Sequence, residues 1–151
     1  MLYWSTTTNG VTTFTNHRDV DLIKVNVTKI WDDAGNQDGF RPTTITIKVL
    51  DGETVVDSQE IDGSMTGERW SFTSKDLPKN RNGQPIQYTV AEVFETTPAN
   101  AYEQGKPQGN VTDGFTITNK HTPELTEATV KKVWDDEGNQ DGIRPDELEV
   151  T

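Results

Sequence analysis

Residues 23–31 read IKVNVTKIW, and this stretch decides the fold class. Its side chains alternate, and one face of the strand carries Val25, Val27, Lys29 and Trp31. Similar alternating runs follow along the chain, separated by turn clusters at 35–42, 63–67, 77–85 and 98–109. No segment has a 3.6-residue hydrophobic period of helix length. The pattern predicts an all-β sandwich, Ig-like in the broad sense, with strands over residues 23–31, 43–50, 54–61, 68–74, 86–94 and 111–119.

The chain repeats itself at an offset of 103 residues. Residues 29–42 read KIWDDAGNQDGFRP and residues 132–145 read KVWDDEGNQDGIRP, with eleven of fourteen positions identical. The same offset places Asn16 on Asn119. Repeats of this kind indicate a tandem array. We therefore expect three parts: residues 1–20 as the last strand of a preceding unit, 21–123 as one complete unit, and 124–151 as the opening of a following unit.

Composition excludes several function classes. The chain has 151 residues and a net charge of −11, which disfavours a nucleic-acid partner. Hydrophobic residues make up 30%, and no run approaches the roughly 18 apolar residues of a membrane helix, so we expect no membrane insertion. With no Cys and two His, disulfides are excluded and a zinc or His-based catalytic site is disfavoured. Residues 1–20 lack the features of a secretory signal, so we expect either a protein that is not exported or an internal piece of a longer chain.

Three polar residues occupy inward positions of predicted strands. They are Lys29 in the first strand, Glu92 in the fifth and Asn119 in the last, and their same-face neighbours are apolar. Lys24, in contrast, has outward parity. Burying a lone charge costs several kcal/mol even after relaxation. One interpretation is that the strand ends fray, so that the three groups reach solvent or form an ordinary ion pair.

The other interpretation is chemical. Burial lowers a Lys pKa and raises a Glu pKa, by up to about 3–5 units each. A neutral Lys29 amine beside the Asn119 carboxamide would be a nucleophile beside an electrophile. A protonated Glu92 could hydrogen-bond the carbonyl oxygen and stabilise the oxyanion, or pass the proton that ammonia needs to leave. The product would be an amide cross-link, formed without a cofactor because positioning supplies an effective molarity of order 10⁵ M or more.

Three separated motifs resemble the Cna protein B-type domain, which occurs in tandem in the stalks of Gram-positive surface adhesins and pilins. They are VNVTKIWDD, DLPKNRNGQPIQYTVAEV and FTITNKHTP, and they appear in the family's order across residues 21–123. The resemblance implies a prealbumin-like variant of the sandwich and an autocatalytic Lys–Asn isopeptide bond. It places the cross-link on Lys29 and Asn119 and the proton shuttle on Glu92. It also implies an extracellular, cell-wall-anchored protein.

The flanks depart from the pattern of the complete unit. Lys132 matches the bonding Lys and Asn16 matches the bonding Asn, but each lacks the rest of its set, so we predict that neither is cross-linked. The function expected is therefore a structural stalk repeat that reacts with itself once and is not a turnover enzyme. Its partners would be neighbouring repeats, with a host matrix ligand on other domains.

Two other functions remain open from the sequence. The first is a ligand-binding adhesin module that recognises a host matrix protein or a glycan through an exposed loop such as 95–110. The second is a carbohydrate-binding accessory domain, although no convincing aromatic platform is apparent. Trp70 alternates with Phe72 and is expected in the core.

Local motifs add no metal site. WDDAGNQDG resembles a calcium loop, but Ala34 and Ile45 stand where that loop needs acidic residues, so we expect a polar turn. Adjacent acidic residues such as Asp32 and Asp33 point to opposite faces of a strand and make poor acid–base couples. His17 and His121 lie just beyond strand ends and are expected to be exposed.

Overall fold

The computed structural model describes residues 2–62 and 67–149, and the regular elements in these ranges are all strands. The turn predicted at 63–67 lies, apart from Gly67, outside the described residues. The strands are β1 (Leu2–Thr8), β2 (Val11–His17), β3 (Leu22–Ile23), β4 (Asn26–Asp32), β5 (Thr44–Asp51), β6 (Thr54–Asp62), β7 (Arg69–Thr73), β8 (Leu77–Pro78), β9 (Asn80–Arg81), β10 (Gln84–Pro85), β11 (Tyr88–Val93), β12 (Glu103–Gln104), β13 (Gln108–Asn110) and β14 (Gly114–Lys120).

Two sheets form the body of the central unit. One has the order β11-β5-β6, and the other has the order β12-β14-β4-β7, with β13 also paired to β14. The pair β4–β14 is parallel, whereas the other strand pairs are antiparallel. The first and last long strands of the unit are therefore hydrogen-bonded neighbours that run in the same direction.

The core lies between these sheets because their strands alternate between buried and more accessible residues. In β4, Val27, Lys29 and Trp31 are buried, and in β5 the buried set is Ile45, Ile47 and Val49. β-Branched side chains suit this pleated, half-buried setting. The remaining large apolar side chains of the core are Val25, Ile61, Trp70, Phe72, Leu77, Tyr88, Val90, Tyr102, Phe115 and Ile117. The predictions of an all-β sandwich and of a core Trp70 are confirmed.

Two predicted strands have different bounds in the structure. The run 23–31 is interrupted, because Val25 lies between β3 and β4 and its N–H donates to Ser74 Oγ at 2.8 Å. The last strand begins at Gly114 and not at residue 111. Asn110 Oδ1 accepts the N–H of Asp113 at 2.8 Å, and this side-chain bond makes a turn of residues that the alternation alone assigned to the strand.

The segment predicted as the loop 95–110 is partly a sheet edge. Residues 103–104 form β12 and residues 108–110 form β13, and both pair with β14. Between the strands, the Gly105 N–H donates to Thr118 O at 2.9 Å. Tyr102 is only 7% exposed. The segment is therefore not a loop throughout, although residues 103–110 are exposed and Tyr102 is its buried residue.

The flanks bury little of their side chains. β1 and β2 form a hairpin, one strand more than the sequence pattern suggested for residues 1–20, and Asn9 and Gly10 close it with positive φ angles of 50° and 77°. Large apolar side chains of this hairpin, such as Trp4 and Phe14, are exposed. Over residues 124–149 the structure has no strand, and Leu125 is 91% exposed.

The repeated polar motif adopts the same turn twice. Asp33 and Arg41 form a bidentate ion pair, and Arg41 N–H donates to Asn36 Oδ1 at 3.0 Å. At the offset of the repeat, Arg144 pairs with Asp136 and donates to Asn139 Oδ1 in the same way. The turn forms in both sequence environments, so its geometry is set locally by these bonds. The prediction of a polar turn is confirmed, and the described residues contain no group of three His, Asp or Glu that could hold a metal.

Candidate cross-linking site

The three inward polar residues come from three strands and meet in the core. In the parallel pair β4–β14, Lys29 aligns with Ile117 and Trp31 aligns with Asn119. Lys29 and Asn119 are therefore diagonal neighbours on one face of the sheet, within reach of a long side chain. Glu92 projects towards them from β11, which is the edge strand of the opposite sheet.

All three side chains are removed from water. Lys29 is 1% exposed and Asn119 is 0% exposed, and the Glu92 side chain is 4% exposed. The three groups therefore do not reach solvent, but the other form of the alternative interpretation, an ordinary ion pair, is compatible with the distance between Lys29 and Glu92. Lys24 lies outside it, as its parity indicated, and pairs with Asp76 at the surface.

Glu92 contacts both potential reactants. Its Oε1 lies 3.4 Å from Lys29 Nζ, within ion-pair range, and its Oε2 accepts a hydrogen bond from Asn119 Nδ2 at 2.7 Å. Oε1 has no hydrogen-bond partner among the described residues, so the amine is the group available to it. One carboxyl group thus bridges the amine and the carboxamide.

The Asn119 carbonyl oxygen faces a different partner. Asn119 Oδ1 accepts the Gly105 N–H at 3.3 Å. Glu92 is therefore placed at the amide nitrogen, where a proton is needed for ammonia to leave, and the structure gives it no contact with the carbonyl oxygen. Both roles suggested for Glu92 stay predictions; the contact with the amide nitrogen is the one that proton transfer would use.

Burial shifts the titration of both ionisable groups towards the neutral form. It lowers the pKa of Lys29 to about 8, although the nearby carboxylates of Glu92 and Asp33 oppose the shift. It raises the pKa of Glu92, against the opposing effects of Lys29 and of the Asn119 hydrogen bond. Both shifts bring the neutral amine and the protonated acid closer in free energy to the charged pair than they are in water.

Trp31 forms one wall of the site. Lys29 Nζ lies 3.8 Å from the centroid of the Trp31 ring. That ring makes edge contacts with three others, Trp70, Phe94 and Tyr102, at centroid separations of 5.0 to 5.8 Å. These packed aromatic neighbours restrict the movement of the Trp31 ring. Because Lys29 Nζ contacts this ring, its position is restricted as well. Lys29 Nζ also donates to Ile30 O at 3.2 Å.

A second buried polar cluster lies beside the first. Asp33 is 1% exposed, and its carboxylate accepts bonds from Arg41 and from the Tyr102 hydroxyl at 2.7 Å. Burial would raise the pKa of Asp33, but the hydrogen bonds from Arg41, Tyr102 and the Asn36 N–H outweigh it and lower the pKa below its usual value. The sequence interpretation missed this cluster; the pairing of Asp with Arg eight residues later in both copies of the repeat was the available signal.

His121 is partly buried, so its predicted exposure was wrong. Its side chain is 12% exposed, and its ring nitrogens lie 2.7 Å from Ala101 O and 2.8 Å from Asp38 Oδ2. With an acceptor at each nitrogen, the ring donates twice when charged, and the hydrogen bond to Asp38 raises the pKa of His121. His17 is half-exposed, in line with the prediction.

Comparison with known proteins identifies the family. The model of the Cna protein B-type domain matches residues 25–120 and 128–151. The chain belongs to this family. A collagen adhesin of Staphylococcus aureus is 36% identical over 142 residues, which are 94% of this chain and 11% of that protein. The chain thus spans about a tenth of the length of this curated relative.

Solved structures of Cna B repeats agree with the fold. The crystal structure of two B repeat units (B1B2) of the collagen binding protein of S. aureus matches with a TM-score of 0.62 and 35% identity, covering 95% of this chain and 36% of that chain. The crystal structure of the single B1 unit matches with a TM-score of 0.50 and 38% identity, covering 83% of this chain and 60% of that chain. The resemblance inferred from sequence motifs is confirmed.

The two segments matched by the Cna B-type model contain different numbers of the candidate residues. The segment 25–120 contains the complete set of Lys29, Glu92 and Asn119, and the segment 128–151 contains Lys132 alone. Lys132 and Asn16 are exposed in the structure. Lys132 Nζ lies 4.7 Å from the Trp134 ring centroid, so the Lys–Trp contact of Lys29 and Trp31 recurs at the offset of the repeat. Around Lys132, however, the described residues 124–149 form no strand.

Proposed function

We propose that this Cna B-type domain cross-links itself through an isopeptide bond between Lys29 and Asn119 and serves as a stalk repeat of a surface adhesin. The bridging position of Glu92 carries the proposal. A buried carboxyl group 3.4 Å from the amine and 2.7 Å from the amide nitrogen can exchange protons with both. An ordinary buried ion pair would need no carboxamide at that place.

The reaction balances without any added reagent. With Glu92 protonated and Lys29 neutral, Nζ attacks Cγ of Asn119, forming a C–N bond and a tetrahedral intermediate. Glu92 delivers its proton to Nδ2 as the Cγ–Nδ2 bond breaks and ammonia departs. Glu92 then takes the surplus proton from Nζ and ends in its starting protonation state. The product no longer contains the buried ionisable amine, so the free-energy cost of burying that group is removed.

The mechanical role follows from the topology. Lys29 lies in the first long strand of the unit and Asn119 lies in the last, and these strands are parallel neighbours. A bond between them would carry tension directly from one end of the unit to the other, leaving the intervening strands unloaded. It would also close a loop of 119 − 29 = 90 residues. By analogy with a disulfide, such closure restricts the unfolded chain by about 4–5 kcal/mol.

Relatives and repeats support a surface role. The S. aureus relative is named as a collagen adhesin, and the similar crystal structures are repeat units of that protein. The present chain repeats its own motif at an offset of 103 residues, as spacers do. We infer an extracellular, cell-wall-anchored protein in which the three parts 1–20, 21–123 and 124–151 belong to successive units. We place any matrix ligand on other domains, as in the expectation from the sequence; in the segment considered for binding, residues 103–104 and 108–110 pair with β14.

The intact mass of the folded chain tests the proposal. Wild type should be lighter than its sequence mass by one ammonia, and Lys29→Met and Glu92→Gln should have their full sequence masses. Lys132→Met is the matched control, because it removes the equivalent lysine from the incomplete unit and should retain the mass deficit. A full sequence mass for folded wild type, or loss of the deficit in Lys132→Met, would contradict the assignment.

A further inference from the structure

The backbone amide of Gly105 contacts the carbonyl that would react. Gly105 lies between β12 and β13, the short strands along the edge of the sheet. Its N–H is shared between two acceptors: Thr118 O at 2.9 Å and Asn119 Oδ1 at 3.3 Å. The first bond is part of the pairing with β14, and the second reaches into the site.

This contact fixes which way the carboxamide points. A backbone N–H can only donate, so the group that faces Gly105 must be the oxygen of Asn119. The amide nitrogen is then directed at Glu92, in agreement with the 2.7 Å bond from Nδ2 to Oε2. The two ends of the carboxamide are thus held by groups of opposite character, a donor at oxygen and an acceptor at nitrogen.

We propose that the Gly105 N–H is the oxyanion-stabilising group for formation of the Lys29–Asn119 bond. The inference rests on the proposed function and adds a residue to it. When Nζ attacks Cγ, negative charge develops on Oδ1, at the place that the N–H already faces. In the ground state this bond is long and shared. A charged oxygen draws a donor closer and binds it more strongly, so the stabilisation is greater in the transition state than before it.

The chain comes close enough for this contact because residue 105 is glycine. A Cβ at this position would lie 2.1 Å from Thr118 O, which is backbone that cannot turn aside. Any other residue would push the edge segment away from β14 and withdraw the N–H from Asn119. Glycine here is required by the close approach and not by a positive φ angle.

The same edge offers a route for the leaving group. A cleft of about 280 Å³ is lined by Glu92, Gly105, Pro107 and Ile117 among others. It lies between β11 and the segment 104–107, which belong to facing edges of the two sheets. Glu92, which contacts Nδ2, lines this cleft, so ammonia released beside Glu92 would have a short path to the open side of the sandwich.

The test replaces one backbone N–H by an ester oxygen. The full chain is prepared with glycolic acid in place of Gly105, which removes the donor without adding a side chain. The matched control carries the hydroxy-acid analogue of His121, whose N–H donates to Asp32 O at 2.9 Å on the β4 side of β14 and not to Asn119. Each chain is refolded from denaturant, and loss of ammonia is followed by intact mass while folding is followed by fluorescence.

We expect the Gly105 ester to lose ammonia roughly 10²-fold more slowly after folding is complete, as removal of one oxyanion donor does in other enzymes. The His121 ester should react within about threefold of wild type. Equal rates in all three chains would overturn the role of Gly105 and leave the cross-link intact. No ammonia loss in wild type would instead overturn the proposed function itself.

A second measurement tests the same contact if the Gly105 ester chain fails to fold. In Lys29→Met, which keeps the carboxamide unreacted, a crystal structure should show the Gly105 nitrogen within hydrogen-bond distance of Asn119 Oδ1. A folded variant in which the two atoms lie well beyond that distance would overturn the inference.

Discussion

Pulling on single molecules should separate the cross-linked unit from one that cannot react. The perturbation is Glu92→Gln, which leaves Lys29 and Asn119 in place but removes the acid that the reaction needs. The chain is held between handles at its two termini, so that tension enters the unit through the first long strand and leaves through the last. In wild type the bond should carry this tension past the intervening residues.

The difference in length follows from the structure. The segment between Lys29 and Asn119 spans 90 residues, and a fully extended chain covers at most about 3.3–3.6 Å per residue, which gives roughly 300–320 Å. In the folded unit the two residues are diagonal neighbours in adjacent strands, so their Cα atoms start only about 8 Å apart. Unfolding of Glu92→Gln should therefore release about 300 Å that wild type never releases.

Residues outside the link provide an internal standard. The hairpin β1–β2 and residues 124–149 lie outside the loop, so they should extend equally in both proteins. Lys132→Met should give the wild-type trace. The reasoning would be refuted by a 300 Å step in wild type, or by its absence in Glu92→Gln when circular dichroism shows that variant to be folded.

Three further results are expected. The rate of ammonia loss after refolding should fall about tenfold per pH unit above the Lys29 pKa of about 8, because the amine is then already neutral while the protonated fraction of Glu92 keeps decreasing. The rate should also fall in acid, where the amine is charged, and a rate that rises through pH 8 in mass spectrometry after pH jumps would contradict this. Thermal unfolding of Glu92→Gln should occur roughly 20 °C below that of wild type, from loss of the loop closure, and equal melting temperatures by calorimetry would count against the bond. Asp33→Ala in a Lys29→Met background should lower the free energy of unfolding by about 3–5 kcal/mol, because it removes the buried carboxylate that pairs with Arg41 and accepts from the Tyr102 hydroxyl. Asp136→Ala, the more exposed copy, should cost under about 1 kcal/mol, and similar urea midpoints for the two variants would refute this.

Much of the sandwich was predictable because its strands are half-buried. Alternation in the sequence located the long strands β4, β5, β6, β7, β11 and β14 to within a few residues at most ends. The short edge strands were not predictable, since β12 and β13 span only two and three exposed residues and have no alternation to read. Their pairing is decided by the neighbouring strand β14, which is information that is not local in sequence.

The candidate site, too, was predictable only in part. Strand parity placed Lys29, Glu92 and Asn119 inside, and all three are buried. Parity could not tell which atom of the carboxamide faces Glu92, because that depends on the Gly105 N–H arriving from the sheet edge. His121 was wrongly taken as exposed because its partners Asp38 and Ala101 are distant in sequence and meet it only in the folded chain.

Peptide mapping of the folded chain would detect the Lys29–Asn119 bond itself. After proteolysis, we expect one branched peptide in which the side chain of Lys29 is joined to that of Asn119, with fragment ions from both segments and a mass one ammonia below their sum. Recovery of the two segments as separate linear peptides, with a free Lys29 amine and an intact Asn119 amide, would show that the bond does not form.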